Sequence, residues 1–426
     1  MTTHTYPTAF LDRMQMQLGD DYGAFFAALC QPPKRSLRVN TIKTTVTDCM
    51  VEMAMPYVPN GVCQEGALTP DHFAAGKHPL HAAGLFYMQE ASAQLPATLP
   101  TLPAAPVVLD LCAAPGGKST QLAARMQGGV LIANEIVARR AAVLTGNLER
   151  MGVTNAVVTN MEPHPLCLRL QDACDVVLVD APCAGEGMFR KDDVAVSEWS
   201  PAHVTACAVR QRAILEDAAI AVKRGGQLVY ATCSFSTQEN EETVAAFLDA
   251  HPDFTCVSMQ RLYPHTSLGE GQFAALLQRQ GERIPSVFHA APSDRCAPWE
   301  AFAAETAPQT GQIRALPDGR VLLLPALPFS LDGLRIVRAG LLLGEQKDAR
   351  FVPSHALAMA HAASPILHRE PLDEAEAKRY LMGETLLRDA AKGFCAVTYL
   401  NHALGLAKAG DGMLKNHLPK GLRLHF

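Results

Sequence analysis

The chain has 426 residues, of which 48% are hydrophobic and 19% charged, and its formal net charge is −5. This length predicts two to four domains, and its longest apolar stretches are far shorter than the roughly 18 residues that a membrane span requires. Residues 1–10 lack the basic start and apolar run of a secretion signal. The twelve cysteines include no C-x-x-C pair, and no histidine pair has metal-ligand spacing. We therefore expect a cytoplasmic protein without membrane association, metal site or disulfide framework.

Two basic stretches interrupt the acidic average. Residues 31–47 contain four cations and no acid, and residues 408–426 contain four cations and one acid, Asp411. The cations are Lys34, Arg35, Arg38 and Lys43 in the first stretch and Lys408, Lys415, Lys420 and Arg423 in the second. Such patches neutralise phosphates in nucleic-acid-binding proteins. A merely solvated surface is the equally weighted alternative for each stretch.

From residue 85 onwards, apolar runs alternate with amphipathic segments. We predict strands at 107–111, 130–134, 156–159, 175–180 and 227–232. We predict helices from the turn at Pro115 through 125, at 138–151, and at 201–223. Strands that alternate with helices of this length are typical of a parallel, doubly wound α/β sheet. We assign this domain to residues 85–285, after a mixed N-terminal segment at 1–84.

The pattern weakens beyond residue 285. Residues 286–310 are rich in alanine, proline and polar residues and indicate a linker, followed by predicted strands at 319–325 and 334–342 of a small β-containing module. A helix at 370–387 and strands at 393–400 and 404–408 indicate a last small domain. We place the boundary between these two parts at 345/346.

The turn after the first sheet strand is a candidate cofactor site. Asp110 ends that strand, and the small-residue turn from Cys112 to Lys118 leads into a helix, whose free N–H groups attract anions. The position five residues before Gly117 is a cysteine, which excludes a P-loop, and the G-x-G-x-x-G spacing is absent. Glu135 ends the next strand, where an acid commonly binds a ribose diol. A nucleoside cofactor without pyrophosphate fits, with S-adenosylmethionine as the candidate; a purely structural turn is the alternative.

Two cysteines follow strand ends beyond this turn. Cys183 lies in Asp180-Ala181-Pro182-Cys183, and Cys233 lies in Thr232-Cys233-Ser234. Methylation of the pyrimidine carbon C5 needs a thiolate that adds to C6, so that C5 becomes nucleophilic, and a base that then removes the C5 proton. Asp180 is placed to hydrogen-bond the N3 and N4 edge of the base. The other ten cysteines are interpreted as small buried hydrophobes.

These residues carry a resemblance to the Sun/Fmu-type RNA (cytosine-5-)methyltransferases, RsmF/YebU-like branch, a family that acts on RNA with S-adenosylmethionine. The similar segments extend over nearly the whole chain: residues 180–187, 230–234 with 239–241, 112–118, 38–41, 89–92, 264–265 with 269–271, and a PUA-like tail at 414–423. The resemblance implies a Rossmann-like methyltransferase domain (85–285), an N-terminal α+β RNA-binding segment (1–84), a linker with a small β-containing module (286–345), and a PUA-like C-terminal RNA-binding domain (346–426).

The resemblance also implies roles for single residues. Cys233 is the nucleophile, Cys183 assists product release, and Asp180 belongs to both the catalytic and the cofactor site. The other implied cofactor contacts are Cys112, Ala113, Ala114, Pro115, Gly116, Gly117, Lys118, Glu135 and Arg140. The sequence departs from the family pattern twice. Glu162 in Asn160-Met161-Glu162 takes the place of the usual adenine-proximal aspartate, and Ala184 stands where serine is common.

We therefore predict transfer of a methyl group from S-adenosylmethionine to cytosine C5 of ribosomal RNA, in particular 16S rRNA, through a Cys233–C6 adduct. The expected partner is RNA, naked or in the 30S subunit, and the expected state is a monomer. The alternatives are a transfer-RNA methyltransferase of the same family and, from another class, a non-catalytic RNA-binding assembly factor. His265, Trp199 and Trp299 are assigned structural roles.

Overall fold

The computed structural model describes residues 6–70, 73–290, 292–306, 311–360, 366 and 368–426. Its α-helices are α1 (Thr8–Leu18), α2 (Tyr22–Leu29), α3 (Val46–Glu52), α4 (Pro79–Ala82), α5 (Gly117–Arg125), α6 (Ala138–Arg150), α7 (Pro163–Arg169), α8 (Asp193–Glu198), α9 (Pro201–Ala221), α10 (Glu241–Ala250), α11 (Ala297–Glu305), α12 (His355–Met359) and α13 (Glu374–Leu381). Short 3-10 helices lie at Gly19–Asp21, Ala75–Lys77, Ser92–Gln94, Pro96–Thr98, Glu186–Met188 and Lys420–Leu422.

The strands form four sheets. In chain order they are β1 (Ser36–Val39), β2 (Gly66–Leu68), β3 (Phe86–Met88), β4 (Val107–Asp110), β5 (Val130–Asn134), β6 (Ala156–Thr159), β7 (Cys174–Asp180), β8 (Val222–Thr232), β9 (Phe254–Leu262), β10 (Gln272–Arg279), β11 (Gln312–Ala315), β12 (Arg320–Leu324), β13 (Ile336–Ala339), β14 (Leu341–Lys347), β15 (Arg350–Pro353), β16 (Arg369–Leu372), β17 (Leu386–Leu387), β18 (Gly393–Tyr399), β19 (His402–Gly410) and β20 (Met413–Asn416).

The largest sheet has eight strands in the order β13-β6-β5-β4-β7-β8-β10-β9. Strands β4 to β8 run parallel, which confirms the predicted doubly wound core. Strands β9, β10 and β13 pair antiparallel with their neighbours, so the sheet as a whole is mixed. Chain order reverses between β4 and β7, and ligands of open α/β sheets bind at the carboxyl ends of the strands beside such a reversal.

Both faces of this sheet are covered, which explains the continuous apolar runs of its strands. All residues of β4, β5 and β6 are buried. One apolar cluster packs α7, α9 and α10 on one face, and a second packs α5 and α6 on the other. Helix α9 begins where Ser200 caps it by accepting from His203 N, directly before Pro201 in the first turn.

The N-terminal and C-terminal parts meet in a common core. Sheet β2-β1-β3 and sheet β16-β18-β19-β20-β17 contribute to one apolar cluster that contains Leu37, Phe86, Tyr380 and Leu404. A separate cluster packs α1 and α2 against Trp199 and Phe235, next to the loops after β7 and β8. The two ends of the chain are therefore anchored to each other and to the central sheet.

Three sequence-based expectations need correction. The predicted strand at 334–342 is two strands: β13 extends the large sheet, and β14 belongs to the four-stranded sheet β11-β12-β14-β15. They are separated by Gly340, whose φ of +61° turns the chain. The linker at 286–310 contains helix α11, held by the buried Trp299 against Phe351, while residues 291 and 307–310 lie outside the described part. The helix expected at 370–387 is limited to α13, because Asp373 caps its start and Gly383 follows its end in the left-handed region.

Candidate active site

Side chains of α6 donate hydrogen bonds to the backbone carbonyl groups of the turn between β4 and α5. Arg140 Nη2 donates to Ala114 O at 2.8 Å, and Asn147 Nδ2 donates to Pro115 O at 2.8 Å. Gly116 has a φ of +111°, and a Cβ there would lie 3.1 Å from Leu144 Cδ1. A side chain at this position would be strained, so the turn requires glycine.

A buried carboxylate lies beneath this turn. Asp110 is fully buried and accepts from Ser119 Oγ at 2.6 Å through Oδ2. Its Oδ1 has no hydrogen-bond partner among the described residues. Burial raises the pKa of Asp110 to about 7, although the bond from Ser119 opposes the shift. An unpaired buried acceptor at a strand end is typical of a site that a ligand's donor completes.

Glu135 follows β5, as the sequence predicted, and is almost fully buried. Val137 N donates to its Oε1 at 2.9 Å, and Arg140 lies 3.1 Å from its Oε2. The residue that supports this loop from β6 is Asn160, whose Nδ2 donates to Glu135 O at 2.7 Å and to Ile136 O at 2.8 Å. Glu162, the proposed substitute for the family aspartate, has an exposed side chain.

The two cysteines meet at the neighbouring strand ends. Their sulfur atoms are 3.2 Å apart, so one thiol hydrogen-bonds the other. Both residues are only partly exposed. The pKa of Cys183 is raised well above its ordinary value, first by the hydrogen bond with Cys233, then by burial and by nearby Glu239. In this arrangement Cys183 is the partner that keeps its proton.

An ion pair stands beside the thiols. Lys118 Nζ donates to Asp180 Oδ2 at 2.7 Å, and Gln272 Nε2 approaches Asp180 Oδ1 at 3.4 Å. Burial alone would lower the pKa of Lys118, but Asp180 and, more weakly, Cys233 raise it above its ordinary value. Lys118 is therefore a cation that interacts with the thiol pair. Gln272 lies on the antiparallel strand β10, and no sequence motif identified it as a site residue.

Two further carboxylates, Glu186 and Glu239, are fully buried between the cysteine loops. Phe235 N donates to Glu186 Oε2 at 2.7 Å, and Ala184 N donates to Glu239 Oε2 at 3.0 Å. Both glutamates lie inside the segments that carried the family resemblance. The sequence motifs therefore included both glutamates. Their function, however, depends on a contact between two loops that lie about fifty residues apart in the chain, as the two cysteines do.

The aromatic residues and His265 have the structural roles assigned to them. Trp199 is buried and its Nε1 donates to Glu186 Oε1 at 2.8 Å. Trp299 packs on Phe302 and Phe351. The ring of His265 lies against Phe25 and Tyr263.

The first basic stretch differs from its expectation. Arg38 is 1% exposed and donates to Gln89 Oε1, Gly117 O and Thr120 Oγ1. Lys43 donates to two backbone carbonyls, Ala83 O at 2.8 Å and Arg150 O at 2.9 Å. Neither of the two interpretations of this stretch, a phosphate-binding patch or a solvated surface, holds for Arg38 and Lys43, because both are used inside the fold. Lys34 and Arg35 are exposed.

Across the described residues, no cluster of three or more His, Cys, Asp or Glu side chains could hold a metal ion. Within the same ranges, no helix has the length and apolar character needed to cross a membrane.

Four family models match the chain. The model of 16S rRNA methyltransferase RsmB/F matches residues 102–280, and that of the N-terminal domain of 16S rRNA methyltransferase RsmF matches 6–91. The RsmF rRNA methyltransferase first C-terminal domain matches 301–360, and the methyltransferase RsmF PUA domain matches 369–424.

Similar proteins extend over almost the full length. Ribosomal RNA small subunit methyltransferase F of Serratia proteamaculans (strain 568) is 33% identical, covering 98% of this chain and 96% of that protein. The protein of the same name from Escherichia coli O139:H28 is 32% identical over 99% and 98%. A methyltransferase homologue from Pyrococcus horikoshii, 28% identical, superposes with a TM-score of 0.58 over 64% of this chain and 95% of its own. NSun6 from the same organism with SFG, 21% identical, has a TM-score of 0.58 over 65% and 99% and shares the fold.

Proposed function

The chain belongs to the 16S rRNA methyltransferase RsmB/F family, and from that membership we propose that it methylates C5 of a cytosine in 16S ribosomal RNA. It is a methyltransferase with the Rossmann-like fold of the S-adenosylmethionine-dependent enzymes. The choice of 16S rRNA is supported by the names of relatives that match from end to end. The contact between Cys183 and Cys233 is the observation that supports C5 as the methylated atom. Transfer to C5 needs a nucleophilic thiol beside a second group that transfers a proton.

We assign S-adenosylmethionine to the turn Cys112–Lys118, with Glu135, Arg140 and Asp180 around it and Glu162 as a further contact. The residues present fit such a cofactor, because the unpaired Asp110 Oδ1 and the glycine backbone at Gly116 leave polar contacts for a ligand to complete. When bound, S-adenosylmethionine supplies the methyl group as a methylsulfonium.

The chain's own residues account for the remaining chemistry. Lys118 favours the thiolate of Cys233, which adds to cytosine C6 and makes C5 nucleophilic. Asp180, held by Lys118, orients the N3 and N4 edge of the base. After transfer, a base takes the C5 proton, the C5–H electron pair re-forms the C5–C6 double bond, and the Cys233–C6 bond breaks with Cys233 leaving as a thiolate. Cys183, in contact with Cys233, assists this last step.

RNA binding outside the active site is proposed for the tail, where Lys408, Lys415 and Lys420 are exposed. We further propose that the chain acts as a cytoplasmic monomer, with the division at 84/85, 285/286 and 345/346 as its domain boundaries. The 30S subunit is the proposed physiological substrate, with naked 16S rRNA as the simpler alternative.

Methyl transfer from labelled S-adenosylmethionine to three RNAs tests the proposal: 16S rRNA, 30S subunits and transfer RNA. We expect 5-methylcytosine in the first or second, located by bisulfite sequencing. The Cys233→Ala variant should lose turnover by at least 10³-fold, a loss on the scale of a removed catalytic nucleophile, while calorimetry shows unchanged cofactor binding. The Cys183→Ala variant should accumulate a covalent protein–RNA adduct on denaturing gels.

The matched control is Cys256→Ala, a change at an exposed cysteine on β9. It should retain activity and form no stable adduct. Methylation of transfer RNA alone would support the alternative substrate. RNA binding without methylation of any RNA by the wild type would support the assembly-factor alternative and contradict the proposal.

A further inference from the structure

The two cysteine loops are fastened to each other by reciprocal contacts. Glu186, three residues after Cys183, accepts from the backbone of the Cys233 loop at Phe235 N. Glu239, six residues after Cys233, accepts from the backbone of the Cys183 loop at Ala184 N. A third bond, from Gly187 N to Cys233 O at 2.7 Å, lies between them. Each loop therefore supplies the carboxylate that fixes the other.

The two carboxylates differ in their electrostatic surroundings. Arg13 Nη2 from α1 lies 2.7 Å from Glu186 Oε1 and neutralises its charge. Among the described residues, the hydrogen bonds to the Glu239 side chain come from neutral donors only: Ala184 N at 3.0 Å, Gln211 Nε2 at 2.8 Å and Ser234 Oγ at 2.5 Å. Burial raises the pKa of Glu239, while the bonds from Ser234, Ala184 and Gln211 oppose the shift. Within the described ranges no cation forms an ion pair with this carboxylate, so its charge, when present, is not neutralised by contact.

Gln211 ties the same carboxylate to the cysteine motif itself. Its Nε2 also donates to Pro182 O at 3.0 Å, directly before Cys183. Glu239 is therefore bonded on both sides of Cys183, to Ala184 directly and to Pro182 through Gln211. The titratable groups that interact with it are Cys183, Glu186, Cys207 on α9 and Tyr230 on β8. Cys183 in turn contacts Cys233, which interacts with Lys118.

Opposite charges act on the two thiols. Lys118 acts on Cys233, and Glu239 acts on Cys183, whose pKa it helps to raise above the ordinary value of a thiol. Because the two sulfur atoms share one hydrogen bond, a bias at either side decides which of them carries the negative charge.

We propose that Glu239 is a positioning residue that fixes the Cys183 loop and, through its uncompensated charge, keeps the thiol proton on Cys183, so that the thiolate forms on Cys233. The inference rests on the proposed function only in taking Cys233 as the attacking group. No covalent bond changes in this step: the S–H of Cys183 donates to the sulfur of Cys233 until Cys233 adds to the base.

Thiol alkylation tests the proposal without RNA or cofactor. Initial rates of iodoacetamide addition to each cysteine are measured by peptide mass spectrometry between pH 6 and 10. The Glu239→Gln variant keeps an oxygen for Ala184 N and Gln211 but loses the charge. We expect the ratio of Cys183 to Cys233 alkylation to rise about tenfold at pH 8, corresponding to one pKa unit. An unchanged ratio in the folded variant would overturn the proposal.

Two further variants separate charge from packing. Glu242→Gln removes an exposed carboxylate of the same segment, bonded to Thr237, and should leave the ratio unchanged. Glu239→Asp keeps the charge but shortens the side chain, so it should keep the low wild-type ratio even if its thermal unfolding temperature falls. A ratio raised equally in Asp and Gln variants would assign the effect to disturbed packing and refute the charge-based role.

The enzymatic readout distinguishes this inference from the function it rests on. In Glu239→Gln, the acid limb of the pH–rate profile should move to lower pH, because removing a neighbouring negative charge lowers the pKa of the thiol pair. A lower rate with an unmoved limb would indicate a structural role alone and contradict the inference. If the wild type methylates no RNA, the proposed function fails, while the alkylation ratio still decides the role of Glu239.

Discussion

The two basic stretches have similar compositions and opposite environments. In the N-terminal stretch, Arg38 is 1% exposed, and Lys43 donates hydrogen bonds to the backbone carbonyls of Ala83 and Arg150. In the C-terminal stretch, Lys408 and Lys415 are exposed and face each other across adjacent strands. Arg38 and Lys43 hold the fold together, whereas Lys408 and Lys415 are available to a polyanion.

The difference follows from the position of each cation in its sheet. Arg38 lies on β1, which is the central strand between β2 and β3, and its side chain reaches the start of α5. Lys408 and Lys415 lie on β19 and β20, and Lys408 is exposed between Ala407 and Ala409, which are buried. Counting charges therefore identifies a candidate nucleic-acid surface only when strand alternation also directs the side chains outwards.

Arg38→Ala should give the largest effect. It removes three hydrogen bonds, to Gln89, Gly117 and Thr120, and leaves their buried acceptors without this donor. We expect the free energy of unfolding in urea to fall by about 3 kcal/mol. Cofactor affinity by calorimetry should weaken too, because Gly117 and Thr120 belong to the start of α5. Lys34→Ala, an exposed cation of the same stretch, is the control; equal stability of the two variants would refute the structural role of Arg38.

The buried amine of Lys43 should make the stability of the fold depend on pH. Burial, and then Arg150, lower the pKa of Lys43 from 10.5 to about 7. Between pH 7 and 10.5 the unfolded chain therefore binds more protons at this residue, so its contribution to stability grows as pH rises and is lost as pH falls towards 7. Lys43→Met removes this dependence. We expect the difference in unfolding temperature to shift in favour of the wild type between pH 7 and 9.

The exposed Lys34→Met variant should follow the wild type over the same pH range, since its side chain has no comparable burial. A constant difference between the wild type and Lys43→Met at all pH values would mean that Lys43 stays charged in the fold.

The sequence predicted the parallel core well, because strands buried on both faces produce continuous apolar runs. Strands β4, β5, β6, β7 and β8 all carry such runs. It did not predict β9, five of whose nine residues are exposed, since its place is fixed by pairing with β10 rather than by burial. The pairing of β13 with β6 also needs a tertiary contact across more than 170 residues of chain, as between Arg335 N and Met161.

The site was predicted where its residues follow parallel strands, because the carboxyl ends of those strands share one edge. Asp180, Cys183 and Cys233 come together for this reason. The roles of Glu186 and Glu239 depend on contacts between loops, which no local pattern encodes. No role for Asn160 was predicted from the sequence, but its amide bond to Glu135 O shows that it supports the neighbouring loop.

Replacement of both Lys408 and Lys415 by alanine should have the smallest effect on the protein, and it tests the exposed cations of the C-terminal stretch. Like charges directly opposite on paired strands destabilise slightly, so stability should stay constant or rise. If each lysine contacts one phosphate, the slope of log affinity against log salt should become shallower by about 1.4 for single-stranded RNA, with about tenfold weaker binding at low salt. Lys378→Ala, at an exposed lysine paired with Glu374 on α13, is the matched control and should leave the slope unchanged. An equal slope in the double variant and this control would mean that the tail's cations, like Arg38 and Lys43, serve the protein rather than the RNA.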